Sequence, residues 1–114
     1  MPKGTIMQNW IDICPVERIV PDTGVCALVG DHQVAVFRLA GTGELFAVSN
    51  FDPFSQANVL SRGILGCRDG KPKVASPVYK QNFCLQTGEC LDDPAVKIST
   101  FLVRCENGLV QVGV

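Results

Sequence analysis

The chain has 114 residues, a formal net charge of −1, 46% hydrophobic and 18% charged residues. That describes one ordinary globular domain, large enough to bury a core without covalent staples, and it excludes a disordered chain. The ten Lys and Arg residues are scattered and no apolar run approaches a membrane span, so neither nucleic acid nor a bilayer is an expected partner. The opening MPKGTIMQNW lacks the apolar core of a signal peptide, which points to the cytoplasm.

Short apolar runs separated by turn signals recur along the chain, the pattern of an all-β domain. The first is QNWIDIC, closed by Pro15. A Pro21-Asp22-Thr23-Gly24 loop leads to VCALV, and Gly30-Asp31 turns that run into QVAVFRL as a hairpin. Gly41-Thr42-Gly43 turns the chain again into ELFAVS. Asp52-Pro53 carries an N-cap and first-turn signature, predicting a short helix with Val59 and Leu60 on its inner side and Gly63 at its end. From 50 to 94 the strands become short and rich in glycine and proline, a loop-dominated subdomain within the single domain 1–114. Thr87-Gly88 reads as a turn with Gly88 at positive φ. KISTFLVRC and LVQVGV flank Glu106-Asn107-Gly108, a strong hairpin signal.

The six cysteines, Cys14, Cys26, Cys67, Cys84, Cys90 and Cys105, include no C-x-x-C pair, and several lie in apolar runs. Without an export signal they are expected to be reduced thiols that carry no chemistry. The single histidine, His32, sits in a hairpin turn with no visible orienting group, and no Gly-rich phosphate loop is present. An active site within this chain alone is not expected.

Two segments stand out together: FAVSNFDPF (46–54) and ASPVY (75–79), the latter followed by FCLQTG (83–88). They resemble Rieske ferredoxins, which carry a Cys-Pro-His triplet, then a Cys-Pro-x-His group, an aromatic residue and a Thr-Gly turn. The resemblance runs from Trp10 to the last hairpin. It implies a Rieske-like antiparallel β-sandwich (the iron–sulfur-protein type) with a loop-rich, cluster-binding-like subdomain. The family's first cysteine and histidine fall on Asp52 and Phe54, and the second pair falls on Ser76 and Tyr79, while Pro53 and Pro77 remain. A Rieske centre needs two thiolates and two imidazoles. Phe54 has no lone pair to give, and Asp52, Ser76 and Tyr79 offer only oxygen, so no metal is expected at these vacated positions.

WIDIC, FAVSNFDPFS, VLSRG and VASPVYKQNFCLQTGEC, in this order, are similar to the small subunit of cytoplasmic NAD(P)H-dependent nitrite reductase. That family is Rieske-like and characteristically lacks the cluster ligands. The resemblance implies a large-subunit partner carrying FAD, siroheme and a [4Fe–4S] cluster, which reduces nitrite to ammonium. This chain is then a non-catalytic component of that enzyme and binds no cofactor of its own. The choice between NADH and NADPH belongs to the large subunit. Two other readings are an autonomous Rieske-type electron carrier with unconventional ligands, and a stand-alone regulatory module.

Several residues at the vacated tip have two readings each. Asp52 reads as a turn residue before Pro53 rather than a functional acid. Phe54 reads as a plug filling the vacated space, and Tyr79 as plug or docking residue alike; Phe51, Phe54, Lys73, Tyr79 and Lys80 form the candidate partner-binding set. Lys71, Lys73, Lys80, Arg62 and Arg68 are expected near this tip. There they are either a solvated loop or a steering patch, to be tested by charge reversal at Lys73 and Lys80.

Overall fold

The computed structural model describes residues 9–113. Eleven strands follow one another: β1 (Trp10–Pro15), β2 (Thr23–Val29), β3 (His32–Arg38), β4 (Leu45–Ser49), β5 (Phe51–Asp52), β6 (Ala57–Asn58), β7 (Ile64–Arg68), β8 (Lys71–Ala75), β9 (Asn82–Cys84), β10 (Thr100–Glu106) and β11 (Leu109–Gly113). The large sheet has the order β1-β11-β10-β4-β3-β2, and β7-β8-β9 form a second sheet of three strands. All the pairings are antiparallel. No helix among the described residues is long and apolar enough to cross a membrane.

Strand β3 explains how two cores are built on one sheet. Its Val34-Ala35-Val36-Phe37 run is buried on both faces. Val34 and Val36 join Ile19, Val29, Ala47, Val110 and Val112 within the large sheet. Ala35 and Phe37 face the other way, onto Val48, Leu60, Val74, Phe83, Leu85 and Ile98, and so weld the small sheet to the large one. A strand covered on both sides is apolar at every position rather than at alternate ones. Burying side chains of this size contributes about 1.5–3 kcal/mol each.

The Asn107-Gly108 turn joins β10 and β11 with φ values of 53° and 79°. Positive φ at both central residues matches the twist of the strands it connects. The expected helix after Asp52 is absent. Asp52 caps a tight turn instead, accepting the Phe54 N–H, and Gln56 at φ 56° reverses the chain into β6. A single helical turn follows at Leu60–Arg62, with Leu60 buried and Gly63 just beyond it. Positive φ at Gln56 is incompatible with a continuing right-handed helix.

Cys26 and Cys105 lie on strands as expected, yet both are exposed, as is Cys67; Cys84 and Cys90 are buried and all six thiols are free.

Candidate functional site: two loops joined by a carboxylate and a hydroxyl

The first loop leaves β5 at Asp52, and the second leaves β8 at Ser76. Strand alternation turns Asp52 inward and Phe51 outward, so the carboxylate is 0% exposed and Phe51 is exposed. Ser76 is equally buried, and its hydroxyl donates to Asp52 Oδ2 at 2.5 Å. Oδ2 also accepts from Ser55 Oγ at 2.8 Å, and Oδ1 accepts from the Phe54 N–H at 2.9 Å. Ser76 is held in turn: its N–H donates to the Gln81 carbonyl, and its Oγ accepts from the Val78 N–H. The positions aligned with two metal ligands are therefore in direct contact across the two loops.

A buried carboxylate needs compensation, and here it comes from hydroxyl and amide donors. Burial pushes the Asp52 carboxyl up. The Ser76 and Ser55 hydroxyls and the Phe54 and Ser55 N–H groups outweigh that and hold it below the ordinary 3.8. Hydrogen bonds to the charged form account for that direction.

The other two positions diverge. Phe54 is half-buried against the core, its ring 6.1 Å from Phe83 and tilted by 48°. It fills space, as a plug does. Tyr79 is 62% exposed and fills nothing. The four residues do not fit a [2Fe–2S] group. Two of the oxygen-bearing side chains are hydrogen-bonded to each other, a phenyl ring has no lone pair to give, and the phenol stands in solvent. Among the described residues no three His, Cys, Asp or Glu side chains converge on a common point.

The basic residues also separate. Lys73 Nζ donates to Asn82 Oδ1, and Arg68 pairs with Asp92 at 3.1 Å. Arg68 and Lys71 are register partners beside the β7–β8 turn, at the end opposite the tip. Lys80 and Arg62 are exposed on the loop side. His32 packs against Phe101, the ring centroids 5.9 Å apart and tilted by 53°, and its register partner is Val29 rather than a cysteine. A cleft of about 460 Å³ lies between the β3–β4 turn and the β7–β8 hairpin, lined by Asp22, Glu44, Cys67 and Gln86 among others. Its lining holds a thiol and two carboxylates but no imidazole of the kind that activates a catalytic cysteine.

Sequence reasoning passed over Asn50. This residue is 1% exposed, takes the Ser61 N–H on its Oδ1 at 2.7 Å, and donates from Nδ2 to Cys26 Sγ and Gln33 Oε1 at 3.3 Å each. It ties β2 and β3 to the turn at Leu60. A polar residue placed between an apolar strand and an Asp-Pro turn was the available signal.

The model of the Rieske-like [2Fe-2S] domain matches residues 9–113. The NADH nitrite reductase small subunit of Escherichia coli K12 is 45% identical over 106 residues, covering 93% of this chain and 98% of that protein. The chain belongs to the nitrite reductase small-subunit family. A crystal structure of a Mycobacterium tuberculosis chain, described as an NADH-dependent nitrite reductase small subunit, superposes with a TM-score of 0.91 at 44% identity. That superposition covers 96% of this chain and 97% of the other. A Klebsiella oxytoca protein named nitrite reductase [NAD(P)H] large subunit is 40% identical over 106 residues, which are 93% of this chain and 11% of that polypeptide. The small-subunit fold thus occurs both as a chain of its own and as part of a much longer one.

Proposed function

We propose that this chain is the non-catalytic small subunit of a cytoplasmic NAD(P)H-dependent nitrite reductase, which reduces nitrite to ammonium. The observation that carries this reading is the Asp52–Ser76 hydrogen bond. It joins the loops at the positions aligned with Rieske ligands and occupies both residues with each other, which supports a subunit that carries no redox centre of its own. An electron carrier needs such a centre, and the vacated positions supply neither thiolate nor imidazole. On this reading FAD, siroheme and the [4Fe–4S] cluster reside in the large subunit, and this chain acts through protein contact. Likeness to small subunits over nearly the full chain supports the assignment.

Expression of the large subunit with and without this chain tests it, with complex formation and nitrite turnover measured together. Co-purification and a dependence of turnover on the chain are expected. A large subunit that neither binds the chain nor changes activity with it refutes the proposal. So does a stoichiometric [2Fe–2S] centre, with its EPR signal, in the isolated chain after anaerobic reconstitution.

A further inference from the structure

Leu28, Phe51, Ile64, Val78 and Tyr79 are five of the large apolar residues exposed among the described ones, with Leu28 and Ile64 each 72% exposed. Register and hydrogen bonds place them at one end of the molecule. Leu28 pairs with Gln33, whose carbonyl accepts the Asn50 N–H, and Phe51 is next in the chain. Asp52 then reaches Ser76, whose loop carries Val78 and Tyr79, and Ile64 pairs with Ala75 just before Ser76. The polar links run inside and the apolar side chains point out.

Folding does not require this arrangement. Leu28, Ile64 and Tyr79, the most exposed of the five, stabilise little by burial, and solvent-facing strand and loop positions accept polar residues at small cost. An apolar patch of this kind on a small domain marks a contact surface. The rim carries Arg62 and Lys80, both exposed, with Asp31 exposed in the β2–β3 turn beyond Leu28, while the acid of the two joined loops, Asp52, is buried and satisfied. A second surface bearing anchor residue types, around Trp10 and Arg104, differs in kind. There Arg104 lies 4.1 Å over the Trp10 ring and bonds Gln111, which bonds Asp12. Those groups satisfy one another.

We propose that the apolar end formed by Leu28, Phe51, Ile64, Val78 and Tyr79 is the surface that docks on the large-subunit polypeptide, a proposal that rests on the small-subunit reading above. The Klebsiella oxytoca relative selects that occupant, because there the same fold is 11% of a polypeptide named large subunit and is joined covalently to the remainder. The partner surface is apolar with acidic groups at its edge, to meet Arg62 and Lys80. The Asp52–Ser76 bond fixes both loops before contact, which lowers the ordering cost of association. Compared with the set expected from sequence, Phe54 and Lys73 leave the surface, the first packed inward and the second tied to Asn82; Leu28, Ile64 and Val78 enter it.

The test measures binding of the purified chain to the large-subunit holoprotein. Two double variants, Phe51→Ser/Tyr79→Ser and Leu28→Ser/Ile64→Ser, should each bind at least ~30-fold more weakly, the loss typical of anchor residues. Leu102→Ser, at an exposed apolar residue of β10 away from these loops, should stay within about twofold of the wild type. Iodoacetamide supplies a readout independent of substitution. Cys26, two residues before Leu28 on the same face of β2, should be shielded in the complex, and Cys105 should react at its free rate. Wild-type binding with both double variants within about twofold overturns the surface alone. Failure of the wild type to bind overturns the small-subunit reading and the surface with it. Dimers of the free chain that the double variants dissolve, with large-subunit binding intact, give the surface to a second copy and also overturn the proposal.

Discussion

Ser76→Ala removes one bond from the site where the two loops meet, and its cost can be worked from the structure. The lost hydroxyl donates to a buried carboxylate at 2.5 Å, and both residues are excluded from water. A hydrogen bond to a charged group contributes about 1.5–3 kcal/mol. The substitution leaves a void of only one oxygen atom, and Asp52 keeps the Phe54 N–H and Ser55 hydroxyl, so the lower half of that range applies. About 2 kcal/mol is expected, which is ~8 °C in Tm at an unfolding entropy of about 2.1 cal/mol/K per residue. Asp52→Asn should cost more, about 3 kcal/mol, because it removes the charge these donors meet and forces the Ser55 and Ser76 hydroxyls to accept from the amide, although Ser76 Oγ already accepts from the Val78 N–H. Urea unfolding followed by Trp10 fluorescence measures both. The double variant Asp52→Ala/Ser76→Ala closes the cycle and should show a coupling of about 1–2 kcal/mol. A Ser76→Ala protein within about 0.5 kcal/mol of wild type, at unchanged m-value, would show that the contact does not join the loops energetically.

Acid should weaken the domain through Asp52 and Asp92, whose carboxyls are both held below 3.8; Asp92 is lowered by the Asn82 backbone and side-chain N–H groups and then Arg68. The unfolded chain binds more protons than the native one between the lowered values and the ordinary one. Stability is therefore full above about pH 5 and falls as the pH drops through the native values. A proton-uptake measurement showing no uptake on unfolding at pH 4 contradicts this. Phe54→Ala should cost about 2 kcal/mol, below the range for a fully buried ring because Phe54 is half-buried, and a loss under about 0.5 kcal/mol would end the plug reading. Gly88→Ala should be among the most damaging single changes, by ~3 kcal/mol or more. Gly88 has φ 83°, and a Cβ there would overlap the Ile98 carbonyl oxygen, so a wild-type melting curve would refute that geometry. In native alkylation followed by mass spectrometry, Cys26, Cys67 and Cys105 should react first and Cys84 and Cys90 only on unfolding. Cys14, half-buried and with its thiol pushed up by burial against the pull of Arg18, should react between them.

The large sheet was legible because its signals are local. Gly30 and Asn107-Gly108 close hairpins where turn chemistry requires them, and the apolar runs of β3 and β11 mark strands before any contact is known. Asp69-Gly70 closes the β7–β8 hairpin with φ values of 52° and 78° and was readable by the same rule, but the glycine- and proline-rich surroundings hid it. The helix expected after Asp52 shows the opposite case. Asp52-Pro53 is a capping signal, but a cap fixes only the first turn, and the carboxylate is drawn to Ser55 and Ser76. Position Ser76 lies 24 residues away, so no local pattern records the contact. Family alignment does, since two positions that serve one metal centre must be neighbours whatever residues occupy them. The outward placement of Leu28 and Ile64 had no such signal, because a leucine in an apolar strand reads as core until the sheet's end is located.

The identity of residue 52 follows from what the loops still present. Backbone and hydroxyl donors from Phe54, Ser55 and Ser76 converge on one point, an arrangement suited to an anion. Filling that point with an apolar side chain would bury several donors unpaired, at about 1–3 kcal/mol each. A neutral amide would satisfy some and oppose others with its own N–H groups. Aspartate places one negative charge where these donors meet, in a side chain short enough to reach the second loop. Phe54 needs no such replacement, since an imidazole facing a cluster is replaced by a ring facing Phe83. The carboxylate joins the loops from within, and the exposed residues beside it form the proposed docking surface.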